Sequence, residues 1–468
     1  MSRRASLGAR WAFGLLIALS LFLYVSPLVP LLPLLFPALA FLCGAYVYAR
    51  SKSSYVSLVL WMWFLTPFVH RLVDARVGSE QTILLAPYLV GAISGVHLLR
   101  NLYLLAQPEM LPFTCALSAI FYGLCIGSVQ FGPTLVATVL CEWLVPVLFA
   151  IFLFSATYEQ EEIRRSFINT FGWAVLITGA YGLYQFFTAP SWDMTWLQSN
   201  VDELASIGSP ERMEFRVFST MNSTQVFGLA MMVGLLLLPA WNKALRIPAA
   251  MIGFIALLLT ASRSAWVGFA AGAVFLFAYA DRRQRQRLTL QFAACALLLL
   301  VVLRVPMLGT FIADRFRNFN DIQSDASYDD RVQGYKEAVN TILHEPFGEG
   351  LGSAAALHTG EIIGPHDSSF LESFYSLGWI GTLIYLGGVG LAGIRTFRHA
   401  GDSQSEMIRV GRAVIVAFII QSPLNSVMLA QAGFFLWAVV ALTMKEISMC
   451  RPAYEYSSWQ TAPEISRG

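Results

Sequence analysis

The sequence predicts an all-α polytopic membrane protein with about 12–14 transmembrane helices. Of its 468 residues, 56% are hydrophobic and only 13% are charged, a composition far outside that of soluble domains. Apolar runs of about twenty residues, the length that crosses a hydrocarbon core of roughly 30 Å, recur almost from end to end. Because the runs are continuous and do not alternate, they favour helices over the strands of a membrane barrel.

The chain divides into six parts by the alternation of apolar and polar stretches. Residues 1–187 carry N-terminal spans, 188–224 form a first external loop, 225–303 carry central spans, 304–367 form a large external loop, 368–446 carry C-terminal spans, and 447–468 form a tail. The individual spans are predicted at 11–27, 29–49, 54–69, 83–98, 111–129, 134–154, 167–187, 225–240, 247–261, 265–280, 290–303, 370–394, 410–422 and 428–445. The basic start lacks a convincing small-residue cleavage site, so we interpret 11–27 as a retained span.

Basic residues fall largely on alternate connections, as the positive-inside rule requires. The connections concerned carry Arg3, Arg4, Arg10, Arg50, Lys52, Arg100, Arg164, Arg165, Lys243, Arg246, the run 282–287, Arg395, Arg398, Arg409 and Arg412. This pattern predicts cytoplasmic termini and two external loops, with Arg71 and Arg76 as exceptions on the outer side. Basic clusters at both ends of 247–280 require an even number of crossings, which predicts a helical hairpin with Arg263 at its outer tip.

The large external loop carries its own pattern. Its residues Val332, Tyr335, Val339 and Ile342 recur at helical spacing and predict an amphipathic helix on the membrane surface. The glycine-rich run 348–352 then predicts a turn. It follows no strand, and the sequence contains neither a Walker lysine nor an HExxH motif, so neither an ATP-driven machine nor a zinc protease is indicated. The six cysteines form no pair at ligand spacing, so no disulfide framework, metal site or cofactor is predicted.

Arg263 is the only charged residue between Arg246 and Asp281. A guanidinium in lipid is costly unless it is paired, and its bidentate hydrogen bonds suit phosphate, so a lipid diphosphate is a natural ligand. The alternative is a helix-end arginine that reaches the head groups or pairs with a carboxylate such as Glu372.

Arg216 enters an apolar segment just ahead of a span. Asn222, Ser223 and Thr224 are suited to cap the helix that follows, and a helix start with an arginine is a good anion site. The alternative is a juxtamembrane arginine that pairs with a lipid head group.

His366 and Asp367 follow a proline at a membrane boundary. A histidine can exchange protons near neutral pH, and a neighbouring carboxylate can orient it or act as the base itself. The alternative is a polar pair in which Asp367 caps the next helix. Arg331 and Tyr335, one turn apart, could hold a sugar or phosphate, or could simply be solvated.

Four segments together resemble the O-antigen ligase and O-antigen polymerase superfamily. They are LLLTASRSA at 257–265, PFGEGLG at 346–352, HDSSFLE at 366–372 and LGWIG at 377–381, with Arg331 in the loop between the first two. The resemblance covers about residues 215–445. It identifies Arg216 and Arg263 with the family's functional arginines and His366 with its loop-end histidine. The family commonly has asparagine where this chain has Asp367.

The resemblance implies transfer of a glycan from undecaprenyl diphosphate to an acceptor hydroxyl, at the periplasmic face of the bacterial inner membrane. Arg216 and Arg263 would hold the diphosphate, His366 with Asp367 would activate the acceptor, and transfer would invert the anomeric carbon without a metal. The acceptor is a lipid A core for a ligase, a second glycan for a polymerase, or a protein; nucleic acid has no role.

A transporter or flippase for a polar solute is the rival hypothesis from a different class. It would place charges near the bilayer midplane and broken helices in matched halves of the chain. The two hypotheses differ in geometry, because the transferase requires Arg216, Arg263 and His366 to share one outward cavity.

Overall fold

A computed structural model describes residues 3–78, 81–156, 159–200, 205–304, 336, 339–340, 342–353, 368–398 and 405–450. Of these residues, 84% are helical and none belongs to a sheet, which confirms the predicted all-α class. One isolated antiparallel bridge, between Gly208 and Phe215, occurs within them.

Sixteen α-helices are described in full. In chain order, α1 to α8 are Arg3–Val25, Leu32–Arg50, Lys52–Val77, Ala86–Ala92, Gly95–Arg100, Leu111–Gln130, Pro133–Ser155 and Gln160–Thr188. The helices α9 to α16 are Ser191–Ser199, Thr224–Leu237, Arg246–Leu259, Arg263–Tyr279, Arg282–Arg304, Ser369–Phe397, Glu406–Gln421 and Ala430–Cys450. Short 3-10 turns lie at Val29–Leu31, Gln81–Leu85, Leu102–Ala106, Pro108–Met110, Ala205–Ile207 and Leu238–Ala240.

Seven helical segments in the described part of the chain are long and apolar enough to cross a membrane. They are Val29–Arg50, Lys52–Val77, Gln81–Arg100, Pro108–Gln130, Pro133–Ser155, Ser369–Phe397 and Ala430–Cys450. Four shorter apolar helices accompany them: Trp11–Val25, Thr224–Ala240, Arg246–Leu259 and Arg263–Tyr279. Both groups lie within the 12–14 spans that the sequence predicts, and the multi-pass all-α membrane class is confirmed.

The helix α8 is long but falls short of the hydropathy of a simple span. Polar side chains of its second half, among them Thr178 and Gln185, are fully buried and bind other parts of the protein. A polar residue inside a bundle is tolerated where its hydrogen bonds are satisfied internally. The reduced hydropathy of α8 thus reflects internal contacts.

The helix α16 lies in the middle of the bundle. It packs against α7 and α15, and 72% of its most apolar window is buried, the highest share of the seven segments. The ring of Phe435 stacks on Phe64 at 5.4 Å and that of Phe434 stacks on Phe149 at 4.5 Å. Large apolar side chains on the outer helices, such as Phe22, Phe121 and Val274, remain exposed, as expected of a surface that contacts lipid.

Basic side chains gather at one end of the bundle. Arg50 ends α2, Arg246 and Arg282 begin α11 and α13, and Arg395 lies near the end of α14. Arg409 pairs with Asp281 at 3.4 Å, which ties the start of α15 to the junction of α12 and α13. Arg263 begins α12 at the other end of the bundle.

The glycine-rich run 348–352 forms the predicted turn and packs between α6 and α14. Gly348, Gly350 and Gly352 have positive φ angles of 80°, 84° and 111°. The amides of Glu349 and Gly350 donate to the carbonyls of Tyr375 and Ser376 at 3.0 and 3.1 Å. Those carbonyls are available because α14 kinks at Gly378, whose φ is 61° and ψ −170°.

Close backbone contacts complete this anchor. The amide of Leu351 donates to Gly123 of α6 at 3.0 Å, and the Leu351 side chain is fully buried. A Cβ on Gly127 would lie 2.2 Å from the Leu351 carbonyl oxygen, and a Cβ on Gly350 would lie 2.3 Å from the Gly127 nitrogen. Glycine is needed at both positions because two backbones touch there.

The predicted amphipathic helix falls mostly outside the described residues, which include neither Val332 nor Tyr335. Of its remaining positions, Ile342 is buried and Val339 is exposed. The first external loop, by contrast, was predicted as a polar connection and is largely packed. It contains α9 and the 3-10 turn Ala205–Ile207, and residues 217–221 are all buried.

Candidate active site

Arg263 lies at the first position of α12, directly after a tight turn that ends α11. Ala261 in this turn has a positive φ of 49°, and the Thr260 side chain accepts a hydrogen bond from the Ser262 amide at 3.2 Å. The indole nitrogen of Trp266 donates to the Leu257 carbonyl at 2.9 Å and joins the two helices. Arg263 is half-buried, and the hydrogen bonds of Ser262 before it and Trp266 after it hold its backbone in place.

Arg216 reaches the same turn from a distant part of the sequence. Its backbone amide donates to Ile207 at 2.7 Å, and the next amide, that of Val217, donates to Leu259 at 3.0 Å. Its guanidinium donates to the carbonyls of Thr260 and Ala261 at 3.0 and 3.3 Å. An arginine often binds the last carbonyls of a helix in this way, and here that contact brings Arg216 against the residues that precede Arg263.

The start of α14 joins this site through Asn425. The amide and hydroxyl of Ser369 both donate to the Asn425 carbonyl, at 3.1 and 2.8 Å. The side-chain amide of Asn425 donates to the hydroxyl of Ser264. The first turn of α12 and the first turn of α14 are thus connected through one residue.

The N-termini of α10, α12 and α14 lie at this end of the bundle. The side chain of Ser223 caps α10 by accepting from the Gln225 amide at 3.2 Å, while Ser262 and Ser368 occupy the N-cap positions of α12 and α14. A Cβ on Gly228 of α10 would approach Ser262 and Ala265 to 3.2 and 3.1 Å, which shows how closely α10 packs against the turn. Helix N-termini carry a partial positive charge that favours anions.

A large apolar cleft flanks the Arg263 turn. It has a volume of about 780 Å³ and lies between α11, α12 and α13. Leu257, Leu258 and Trp266 line it next to the turn, and Phe277 and Ala278 line it near the far end of α12. The cleft therefore extends from the Arg263 end of the hairpin toward the basic end of the bundle.

Of the predicted site residues, the structure brings Arg216 and Arg263 to one turn. His366, Asp367, Arg331 and Tyr335 lie outside the described residues. The first residue described after them is Ser368, which occupies the N-cap position of α14 beside the Asn425 bridge. Glu372, the carboxylate considered as a partner for Arg263, is buried and accepts a hydrogen bond from Ser426.

Several polar residues of this region were not expected from the sequence. Asn425 and Ser264 form the bridge between α12 and α14, and the only signal for Asn425 was its place in a short polar gap between two spans. Arg71 had been assigned to an outer connection, but it lies within α3 and is fully buried against Asp193. Neither the burial nor the pairing of Arg71 is visible from local sequence.

Residues 248–386 match the family model described as O-antigen ligase. No curated protein is similar enough to the chain to count as a match. The matched range contains Arg263 and the positions of His366 and Asp367, whereas Arg216 precedes it.

Proposed function

We propose that the protein, whose residues 248–386 match the O-antigen ligase family model, transfers a glycan from undecaprenyl diphosphate to an acceptor hydroxyl. Members of this superfamily are glycosyltransferase-like ligases that act on glycan and lipid-linked substrates in a membrane. The proposal extends this activity to a specific donor, mechanism and membrane face.

The contact of the Arg216 guanidinium with the Thr260 and Ala261 carbonyls carries the proposal. It brings a second cation to the turn that begins α12 with Arg263. Two guanidinium groups and the nearby helix N-termini form a positive region suited to a diphosphate, because charge-assisted hydrogen bonds from arginine are strong and bidentate. A transporter has no need for two arginines on one turn at the end of the bundle.

The apolar cleft beside this turn supports a lipid-linked donor. A polyprenyl chain that extends from a diphosphate at Arg263 would enter the cleft between Leu257 and Trp266 and follow α12 toward its far end. Because the chain passes into the cleft from lipid and not from water, it gains van der Waals packing and a fixed direction there. The cleft would therefore align the prenyl chain, and the arginines would bind and fix the reacting end.

In the proposed reaction, Arg216 and Arg263 offset the charge that develops on the diphosphate as it leaves the anomeric carbon. His366, oriented by Asp367 or replaced by it as base, takes the proton of the acceptor hydroxyl. The hydroxyl attacks the anomeric carbon directly and inverts it. Arg331 and Tyr335 would hold the glycan, and the two guanidinium groups supply the positive charge that a metal ion provides in other transferases.

The proposed location is the bacterial inner membrane, with the site facing the periplasm and both termini in the cytoplasm. The gathering of arginines at the opposite end of the bundle supports this orientation, since cytoplasmic ends carry an excess of basic residues. A finished glycan passed to a lipid A core would make the protein a ligase. Joining repeat units would make it a polymerase of the same superfamily.

The test is glycan transfer in a host strain that lacks the chromosomal gene and carries plasmid-borne variants. Arg216→Ala, Arg263→Ala and His366→Ala should each lower the rate of surface glycan attachment by about 100- to 1,000-fold, the usual cost of losing one group that stabilises a developing charge. The exposed Arg212 of the same loop and the exposed His344 give matched controls, and Arg212→Ala and His344→Ala should keep normal transfer.

Two outcomes would contradict the assignment. Normal transfer by Arg263→Ala and His366→Ala, with the variants inserted at normal levels, would remove these residues from the chemistry. Normal surface glycan in the deletion strain itself would remove the activity altogether. Between the two acceptors, intact lipid-linked polymer that stays unattached indicates a ligase, and accumulated single repeats indicate a polymerase.

A further inference from the structure

Arg71 and Asp193 form a buried ion pair beside the segment that carries Arg216. The Nε atom of Arg71 donates to Oδ1 of Asp193 at 2.9 Å, and both side chains have no solvent exposure. The pairs of Arg164 and Arg165 with Glu161 and of Arg409 with Asp281, by contrast, are partly exposed. A buried pair is weak evidence for stability, because desolvation offsets much of the attraction. The other hydrogen bonds of Arg71 and Asp193 therefore indicate the role of the pair.

The carboxylate of Asp193 is held from two further directions. Its Oδ2 atom accepts a hydrogen bond from the Tyr181 hydroxyl at 2.7 Å and from the Gln185 side-chain amide at 2.7 Å. Both donors belong to α8, one turn apart. Asp193 thus fixes Arg71 with respect to α8.

The remaining branches of the Arg71 guanidinium bind the segment 219–222. One branch donates to the Met221 carbonyl at 2.5 Å and to Oδ1 of Asn222 at 3.0 Å. The other donates to the Ser219 carbonyl. This segment is buried and is not helical, so its carbonyls need such partners within the bundle.

Helix α8 binds the backbone amide and the hydroxyl of Ser219 in the same segment. Oε1 of Gln185 accepts from the Ser219 amide at 2.8 Å, and the Ser219 hydroxyl donates to the Thr178 carbonyl at 2.6 Å. Ser219 has a φ of 52°, a left-handed conformation that is costly for a residue other than glycine and persists only when its surroundings fix it. Ser219 is held in this conformation by Gln185 and by Arg71, which Asp193 orients.

We propose that Arg71 and Asp193 are positioning residues for glycan transfer: they fix segment 219–222 and thereby hold Arg216, three residues before Ser219, against the Arg263 turn. The inference rests on the proposed role of Arg216. It gives a role to Arg71, which is an exception to the positive-inside distribution of basic residues. Arg71 itself does not touch the substrate, since its guanidinium is fully buried among protein groups.

The test uses the double variant Arg71→Met/Asp193→Leu in the full-length protein. Removal of one partner would leave an uncompensated buried charge, whereas removal of both removes the charge and leaves only neutral groups, such as the Ser219 and Met221 carbonyls, to find other partners. Folding is checked by monodisperse elution in detergent and by thermal unfolding followed by tryptophan fluorescence. Transfer is measured as the rate of surface glycan attachment in the deletion strain.

The double variant should fold and should transfer glycan roughly 100-fold more slowly, the cost of a misplacement of about 1 Å at a reacting group. In an Arg216→Ala background it should cause no further loss, because it acts through Arg216. A merely structural pair would give independent, multiplying losses. Wild-type transfer by the folded double variant would overturn the inference.

A second variant keeps the inference falsifiable if the double variant does not fold. Arg71→Lys retains a cation for Asp193 but lacks the two guanidinium branches that reach Ser219 and Met221. It should fold and lose transfer, and normal transfer would overturn the inference. Arg76→Lys is the matched control, since exposed Arg76 on the same helix binds the Tyr24 carbonyl at 2.8 Å, away from the segment.

These results separate the inference from the function on which it rests. Loss of transfer by Arg216→Ala together with normal transfer by the Arg71 variants overturns only the positioning role. Normal transfer by Arg216→Ala overturns the diphosphate assignment itself.

Discussion

Replacement of Gly127 by alanine is expected to release the glycine-rich run 348–352 from its place between α6 and α14. The new Cβ would lie 2.2 Å from the Leu351 carbonyl oxygen and 2.7 Å from the Leu351 nitrogen. Both are backbone atoms, so no side-chain rotation relieves the overlap. The run 348–352 must therefore move away from α6.

The cost follows from what the movement breaks. Exposure of the buried Leu351 side chain costs about 2 kcal/mol, and loss of the Leu351 hydrogen bond to Gly123 costs about 1 kcal/mol. The higher helix propensity of alanine does not change this equilibrium, because α6 is helical whether the segment is docked or released. The summed cost of about 3 kcal/mol corresponds to a roughly 100-fold larger open population.

Hydrogen exchange read by mass spectrometry measures this opening. The amides of Glu349, Gly350 and Leu351 are bonded to helix carbonyls only while the segment is docked, so their protection should fall roughly 100-fold in Gly127→Ala. Gly390→Ala in α14 is the matched control, because a Cβ there meets nothing within 4 Å. Wild-type protection in Gly127→Ala would refute the account of the docked loop.

Three further predictions concern the same end of the bundle. Asn425→Leu removes the bridge between Ser264 and the start of α14, and should lower the rate of surface glycan attachment about tenfold or more while thermal unfolding stays near normal. Burial and the nearby Glu345 carboxylate raise the pKa of Glu349 above its ordinary value of 4.5. Docking of segment 348–352 should therefore be strongest below pH 4.5 and weaken as the pH rises through the raised pKa. Glu349→Gln should make the exchange protection of this segment independent of pH. Ala270→Trp fills the apolar cleft and should raise the KM for donor more than it changes kcat; an unchanged KM would remove the cleft from donor binding.

The all-α class and the hairpin turn at Arg263 could be predicted because they depend on local signals. Apolar runs of fixed length indicate helices, and a lone charge flanked by two such runs indicates a turn at the end of the bundle. Arg216 could be singled out for the same reason, as one charge in an apolar segment. Its contact with the Arg263 turn depends on packing and was not predictable from spacing.

The buried polar contacts could not be predicted, because their partners are far apart in the chain. Arg71 and Asp193 are separated by 122 positions, and each resembles an ordinary charge of an external connection when judged alone. The run 348–352 was predicted as a turn from its glycines. Why those positions require glycine becomes clear only from Gly127 and Gly378, which belong to two different helices.

A structure of the protein in lipid nanodiscs with bound undecaprenyl diphosphate tests the central claim most directly. The account predicts diphosphate oxygens within about 3 Å of the guanidinium nitrogens of both Arg216 and Arg263, the distance of a charge-assisted hydrogen bond. It also predicts the prenyl chain in the cleft along α12. A diphosphate bound at the other end of the bundle, or in contact with only one of the two arginines, would contradict it.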